Sequence, residues 1–381
     1  MKLLVVGGTG VISYAVVMEA LKQGIEVTCI NRGRSKSQQL PKEVELIIAD
    51  YHNKDVITKE LEGKYFDAVI DVICYKPSDI GYSVSLFKDV CTQYIFFSSC
   101  AVYNKGKGDY VCNEESPLIN PIWDYSISKV ECENKLVELA AKYNLIYTIV
   151  RPAVTYGNTR IPYGITPPYG YHGTLIQRII NNKPIVLWDE GRAFSTITRV
   201  EDFAIGLVGL LGNPKAYNEI FNVVGDERYH WKDVIDELGR ILNRHPVYLN
   251  ISKEQLAQEM PNRKGEILGG RGISQLLDNT KLKSVVPNFK TTIGLTEGLR
   301  STVNYYLEND YLYGIDYRFD AVWDRIAYKY EPKRFKGIHY IDYLNKSSLQ
   351  DKITYWINFH NNKLLMETLG FVKKVRNKIR K

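Results

Sequence analysis

Short apolar runs alternate with longer stretches of helical periodicity through the first 150 residues. The runs Lys2 to Val6, Glu26 to Ile30, Val44 to Ile48, Ala68 to Val72, Tyr94 to Phe97 and Ile146 to Val150 have the length and apolar character of strands. Between them, Val11 to Lys22 and Tyr125 to Tyr143 read as helices. Strands that are apolar throughout are covered on both faces, so the pattern predicts βαβ units and an α/β fold with a Rossmann-type, doubly wound parallel sheet. Ligands of such sheets gather at the carboxyl ends of the strands. That rule brings Gly7, Asn31, Asp50, Val72, Ser98 and Arg151 to one edge.

From about Pro152 the texture changes. Ile161-Pro162-Tyr163-Gly164-Ile165-Thr166-Pro167-Pro168-Tyr169-Gly170 predicts a long irregular loop, either functional or simply solvated. Ile220 to Val224, Trp231 to Leu242 and Thr292 to Leu307 then predict a smaller carboxyl-terminal α/β lobe. The expected organisation is a dinucleotide-binding domain over 1–160, with segments around 184–211 returning to it. A substrate lobe follows, mainly over 161–330, and then a basic, partly amphipathic extension over 331–381.

The 381 residues can bury a substantial core. The opening apolar run is too short for a signal peptide, and no run reaches membrane-spanning length, so a cytoplasmic location is expected. Six cysteines lie scattered without a C-x-x-C pair, which predicts reduced structural thiols and no metal site. The net charge of +7 is concentrated in residues 331–381, where twelve Lys or Arg face four Asp or Glu. The body is therefore close to neutral, which disfavours nucleic acid as a partner. Six of the residues 373–381 are cationic, and Leu365, Leu369, Val372 and Ile379 recur near helical spacing. That combination suggests weak peripheral contact with an anionic membrane, or a helix packed on the body or on another subunit.

The chemistry starts at Leu3-Leu4-Val5-Val6-Gly7-Gly8-Thr9-Gly10-Val11-Ile12-Ser13, a strand ending in a glycine-rich turn that opens a helix. Gly7 permits the tight turn and Gly10 lets the backbone approach a pyrophosphate. The amides around Thr9, Val11 and Ile12 would then face the anion. The second strand ends in Asn31-Arg32-Gly33-Arg34. An acid there would accept from a ribose 2′-hydroxyl, whereas Arg32 and Arg34 suit a 2′-phosphate. They favour NADP, with NAD as the alternative if the arginines only stack on adenine or face water. Asp50, beside Tyr51, is placed to take the adenine amino group.

Tyr125 and Lys129 are four residues apart on a predicted helix and so share a face. A tyrosine of ordinary pKa near 10 is a sluggish acid or base at neutral pH, and a neighbouring ammonium can favour its phenolate. Ser99, after the fifth strand, would orient a substrate oxygen towards Tyr125.

The glycine turn, Ser98-Ser99-Cys100-Ala101-Val102-Tyr103, Tyr125-x-x-x-Lys129 and Arg151-Pro152-Ala153-Val154-Thr155-Tyr156-Gly157 occur in one order. By them the chain resembles the extended short-chain dehydrogenase/reductase superfamily of nucleotide-sugar epimerases, dehydratases and reductases, over roughly residues 1–325. Asn31-Arg32-Gly33 and Phe66-Asp67-Ala68-Val69-Ile70-Asp71 are similar to a branch that includes chloroplast stem-loop-binding proteins. The resemblance implies a catalytic triad of Ser99, Tyr125 and Lys129. Val72, Cys74, Ser98, Pro152 and Val154 complete the expected cofactor contacts. It also implies substrate contacts from Cys100, from Arg192 gripping a nucleotide diphosphate and from Arg271 as a second phosphate contact, and a homodimer built on the Tyr125 to Tyr143 helix. Cys100-Ala101 stands where 4,6-dehydratases carry an Asp-Glu pair, so no acid-base pair for water elimination is available. Ser13 replaces the third glycine, and Val154 replaces a substrate-holding Asn. The leading expectation is an NADP(H)-dependent reductase of a nucleotide-linked keto sugar. An epimerase with retained NAD comes second, and a non-catalytic RNA-binding or scaffold relative third.

Overall fold

The computed structural model describes residues 1–33, 39–104, 110–311, 313–338, 344 and 346–361. Arg34 and the basic segment 363–381 lie outside the described residues.

Seven strands form one parallel sheet: β1 (Lys2–Val6), β2 (Glu26–Asn31), β3 (Glu45–Ile48), β4 (Phe66–Asp71), β5 (Cys91–Phe97), β7 (Ile146–Val150) and β11 (Glu219–Phe221). Their order is β11-β7-β5-β4-β1-β2-β3, and every pairing is parallel. This is the Rossmann-type sheet expected from the alternation of apolar runs. Helices α1 (Val11–Lys22) and α6 (Val200–Val208) cover one face through Val16, Val17, Phe203 and Leu207. Helices α2 (Lys54–Glu60), α3 (Pro77–Phe87) and α4 (Asp124–Tyr143) cover the other through Ile57, Ile80, Val84 and Leu136. Burial on both faces explains why the strands read as unbroken apolar runs.

β5 begins three residues before its apolar run, because Gln93 is a buried polar residue inside the strand. Its amide nitrogen donates to Thr148 Oγ1 at 2.8 Å and to the Leu210 carbonyl at 3.1 Å, and its oxygen accepts from Gly212 N at 2.8 Å. With those bonds made, a polar side chain no longer opposes burial.

The second lobe has its own core, where Tyr163, Trp188, Trp231 and Trp323 meet. Short sheets frame it: β12 (Arg228–His230), β10 (Phe194–Arg199) and β8 (Val154–Tyr156) in one, β13 (Tyr248–Ile251) with β9 (Ile185–Trp188) in another. β6 (Val111–Cys112) pairs with β14 (Leu276–Leu277). β9 thus belongs to the lobe's core, whereas α6 returns to the main sheet. The helix Leu349–Phe359 packs on the helix Tyr317–Tyr330 and buries Tyr355 and Phe359 in the same lobe. The first part of the expected extension is therefore part of the lobe.

All six cysteines are buried and none is in a disulfide. Among the described residues no helix is long and apolar enough to cross a membrane.

Candidate active site

At the end of β1, Gly7 takes φ +88°, and a Cβ there would press on Val72 and Ile73 at 3.2 Å. A side chain would be both strained and in the way. Gly10 precedes α1, with its nearest neighbour the Ser13 hydroxyl. That hydroxyl donates to Gly7 O at 2.5 Å and accepts from Gly10 N at 3.0 Å. Ser13 therefore ties the turn to the first turn of α1, a role a glycine at this position could not perform.

Two cavities flank the turn, with Thr9 and Tyr75 in the walls of both. The larger, about 1070 Å³, is lined on the β2 and β3 side by Asn31, Arg32, Lys42, Asp50 and Tyr51. The smaller, about 300 Å³, is lined by Gly10, Val11, Ile12, Val72, Tyr169 and Tyr313. Asn31 is buried, and its amide nitrogen makes no hydrogen bond. A buried donor left unmet costs about 1–3 kcal/mol, so a ligand acceptor fits there. Asp50 is exposed and accepts from His52 N at 3.1 Å. The glycine cradle, the amides opening α1 and the unmet Asn31 amide together suit a dinucleotide.

The reacting end is assembled by α4. Lys129 is buried, and its ammonium donates to the carbonyls of Cys74 at 2.7 Å and Phe97 at 2.8 Å, joining the ends of β4 and β5. It lies 6.0 Å from the centre of the Tyr125 ring. Burial lowers the Lys129 ammonium below the usual lysine value, with Cys132, Cys74, Asp71 and Glu133 acting the other way. Burial pushes the Tyr125 phenol up to about 12, opposed by a hydrogen bond from Ser99. Ser99 also accepts from Ala101 N at 3.2 Å. The three residues expected to form the triad are thus together, and without a bound cofactor desolvation outweighs the Ser99 hydrogen bond at the phenol.

Several expected contacts are engaged elsewhere. Ser98 donates to Glu133, which also takes both Arg151 Nε at 2.9 Å and Nη2 at 2.6 Å. Tyr51 lines the larger cavity with its ring, but its hydroxyl donates to Asp71 at 2.9 Å, and the Cys74 thiol does the same at 3.2 Å. Val154 is in the core of the lobe, because β8 pairs with β10 and carries it there. The Pro152 carbonyl accepts from Cys100 N at 3.0 Å. Cys100 is buried with its sulfur against the Gln275 amide, which leaves little of it for a substrate. The Arg192 side chain is 73% exposed, beside the Glu190 carboxylate. It lies on a surface turn, its Nε donating to Asp189 O at 3.2 Å. Arg271 is mostly buried, paired with Glu266 at 3.7 Å, with its guanidinium 6.0 Å from the Trp231 ring. Its carbonyl is pinned by the Trp188 and Trp231 indoles at 3.0 and 2.8 Å.

Residues 3–224 match the family model described as the NAD dependent epimerase/dehydratase family, well over half of the chain. The chain belongs to that family. Among its relatives is the chloroplast stem-loop binding protein of 41 kDa b of Arabidopsis thaliana, 28% identical over 238 residues. The match covers 59% of this chain and 59% of that protein, so the chain spans about three fifths of the relative's length. The fold is shared with solved family structures. One is UDP-glucuronic acid 4-epimerase of Bacillus cereus in complex with UDP-glucuronic acid and NAD, with TM-score 0.65 and 20% identity. Another is UDP-glucose 4-epimerase of Thermotoga maritima with UDP-glucose, with TM-score 0.64 and 21% identity. Each comparison covers 81% of this chain and 99% of the other.

The strand running into a glycine-rich turn and the four-residue spacing of Tyr125 and Lys129 on a helix were readable from sequence. Asp71, Glu133, Tyr75, Tyr169 and Tyr313 were not singled out. Glu133 had a signal, since Tyr125, Lys129 and Glu133 recur every four residues on α4. Tyr313 had none, because it reaches the turn from the far end of the chain.

Proposed function

We propose that this family member is an NADP(H)-dependent reductase of a carbonyl on a nucleotide-linked sugar. The observation that carries the reading is the placement of the Tyr125 phenol beside the Ser99 hydroxyl and the Lys129 ammonium. At neutral pH such a phenol is in the form that donates a proton. When bound, the nicotinamide supplies the hydride. Tyr125 gives its proton to the substrate oxygen as that oxygen gains charge, Ser99 orients the same oxygen, and Lys129 stabilises the phenolate left behind. The reduced cofactor carries no positive charge on its ring, so nothing from that side would deprotonate Tyr125 in advance.

The adenosine side supports NADP. Arg32 is exposed on the wall of the larger cavity and has no acidic partner among the described residues, and Lys42 lines the same cavity. Dinucleotide binding is also in keeping with the family and with neighbours solved with NAD. A nucleotide-linked substrate agrees with the UDP sugars bound in those neighbours.

A second reading, an epimerase with retained cofactor, is favoured by the cover over the smaller cavity. Tyr313 N donates to Gly170 O at 3.3 Å, and both residues line that cavity with Tyr169. The test is to release and identify the dinucleotide of freshly purified protein, then to assay keto sugar nucleotides with NADPH. Exchangeable NADP and consumption of NADPH are expected. Tightly retained NAD with interconversion of sugar nucleotides would replace the reductase by the epimerase. Tyr125→Phe should lower turnover by about 10²–10⁴-fold while sparing dinucleotide affinity; retained turnover would remove Tyr125 from the chemistry.

A further inference from the structure

Asp71, the last residue of β4, is completely buried. Its Oδ2 accepts from Tyr51 OH at 2.9 Å, Ser83 Oγ at 2.5 Å, Cys74 Sγ at 3.2 Å and Tyr94 OH at 3.5 Å, and its Oδ1 accepts from Ile73 N at 2.9 Å. Every donor is neutral. A carboxylate hidden this deeply is costly without a positive charge nearby. No Lys, Arg or His contacts it among the described residues.

The nearby cations and carboxylates can be apportioned. Arg151 and Glu133 neutralise each other through a two-bond pair, both buried. Within this group Lys129 and Asp71 are then left, and they share one connection. The Cys74 thiol donates to Asp71 while the Cys74 carbonyl accepts from Lys129. Lys129 faces Cys74 and the Tyr75 ring from the β4 end, Phe97 O and the Phe96 ring from β5, and Tyr125, Cys132 and Glu133 on α4.

We propose that Asp71 is the counter-ion of Lys129, a positioning residue that keeps the ammonium charged beside Tyr125 from within the core. This rests on the reading of Lys129 as the residue that stabilises the Tyr125 phenolate. The arrangement has a consequence for the protein's own residues. Tyr51, Ser83, Cys74 and Tyr94 hold the carboxylate in place behind Cys74, whose carbonyl accepts from Lys129. Desolvation alone would release the Lys129 proton early; Asp71 opposes that without occupying the substrate side.

The test is titration of Lys129 in the whole protein, labelled with 13Cε-lysine and assigned by the signal lost in Lys129→Met. In Asp71→Asn the Lys129 midpoint should fall by about one pH unit or more. In Ser83→Ala, which removes a hydroxyl donor and keeps the charge, it should stay near that of the parent. A Lys129 midpoint unchanged in Asp71→Asn overturns the proposal, as does an equal shift in Ser83→Ala. If Asp71→Asn does not fold, stability reads the pair instead. Lys129→Met strands the Asp71 charge, and Asp71→Asn/Lys129→Met should melt no lower than Lys129→Met. A double variant that melts lower, or does not fold, overturns it. The titration needs no substrate. Absence of turnover on every sugar nucleotide would count against the reductase and leave the Lys129 result standing.

Discussion

On the proposed reading, cofactor choice turns on Arg32. It stands on the cavity wall without an acidic partner among the described residues. A charge-assisted contact to a 2′-phosphate contributes about 1.5–3 kcal/mol. Arg32→Ala should therefore weaken NADPH binding by about 10- to 100-fold, with NADH affinity changed less than about twofold, as read by fluorescence titration. Equal losses for both cofactors would assign Arg32 to the adenine or to solvent. Lys129 and Tyr125 set the pH response. The Lys129 ammonium is lowered below the ordinary lysine value, whereas Tyr125 is raised to about 12, so the lysine loses its proton first. Turnover should fall on the alkaline side with a midpoint below the ordinary lysine value. In Ser99→Ala that midpoint should stay in place while the rate drops. At this scale the sequence was informative where chemistry follows spacing, as for Tyr125 and Lys129. It did not show that Ser98, Tyr51 and Cys74 are each bonded to a buried carboxylate, Glu133 for the first and Asp71 for the other two.

Among the elements, the segment 161–172 deserves a separate test because it joins the lobe to the glycine turn. His172 is buried, and its Nδ1 accepts from Ile161 N at 2.9 Å, which requires a neutral ring. Burial first, then Arg160, lowers it from 6.5 to about 3. The unfolded chain therefore binds a proton at His172 below about pH 6.5 that the folded chain refuses until about pH 3. This group's contribution is full above pH 6.5 and is lost as pH falls, at up to about 1.4 kcal/mol per unit. Urea midpoints measured from pH 7 to 4 should fall less steeply in His172→Gln than in the parent. At the other end of the segment, Gly170 has φ +83°, and a Cβ would lie 1.9 Å from the Tyr313 ring. Gly170→Ala should push Tyr313 away and speed dinucleotide release, measured by stopped flow, with the global melting temperature little changed. The sequence marked this stretch as a loop. It could not show that Tyr313 closes on it, since the two meet only through the fold of the second lobe.

For the whole molecule, the carboxyl-terminal region is where structure revises organisation most. Arg178, Lys183, Asp320 and Asp324 form a buried group of ion pairs at 2.5 to 3.0 Å, and the Tyr355 hydroxyl donates to Asp324 at 2.5 Å. Removing one large buried aromatic costs about 3–5 kcal/mol. A chain ending at Tyr330 loses Tyr355 and Phe359 from the lobe core and should therefore lose stability of at least about that order. One ending at Asn361 should melt within about 2 °C of the full chain by calorimetry. Equal melting of all three would show that Leu349–Phe359 contributes nothing.

The sequence by itself determined the parallel sheet, the glycine turn and the Tyr125 and Lys129 pair. Each is encoded locally, by apolar runs buried on two faces, by backbone geometry only glycine tolerates, and by the four-residue repeat of a helix. Tertiary structure decided which polar groups are spent on one another. Asp71 collects hydroxyls from β5, α3 and the β3 end, Glu133 takes Arg151 from β7, and Val154 is carried into the lobe by β10. Such choices depend on desolvation and on partners distant in sequence, which only the folded chain brings together.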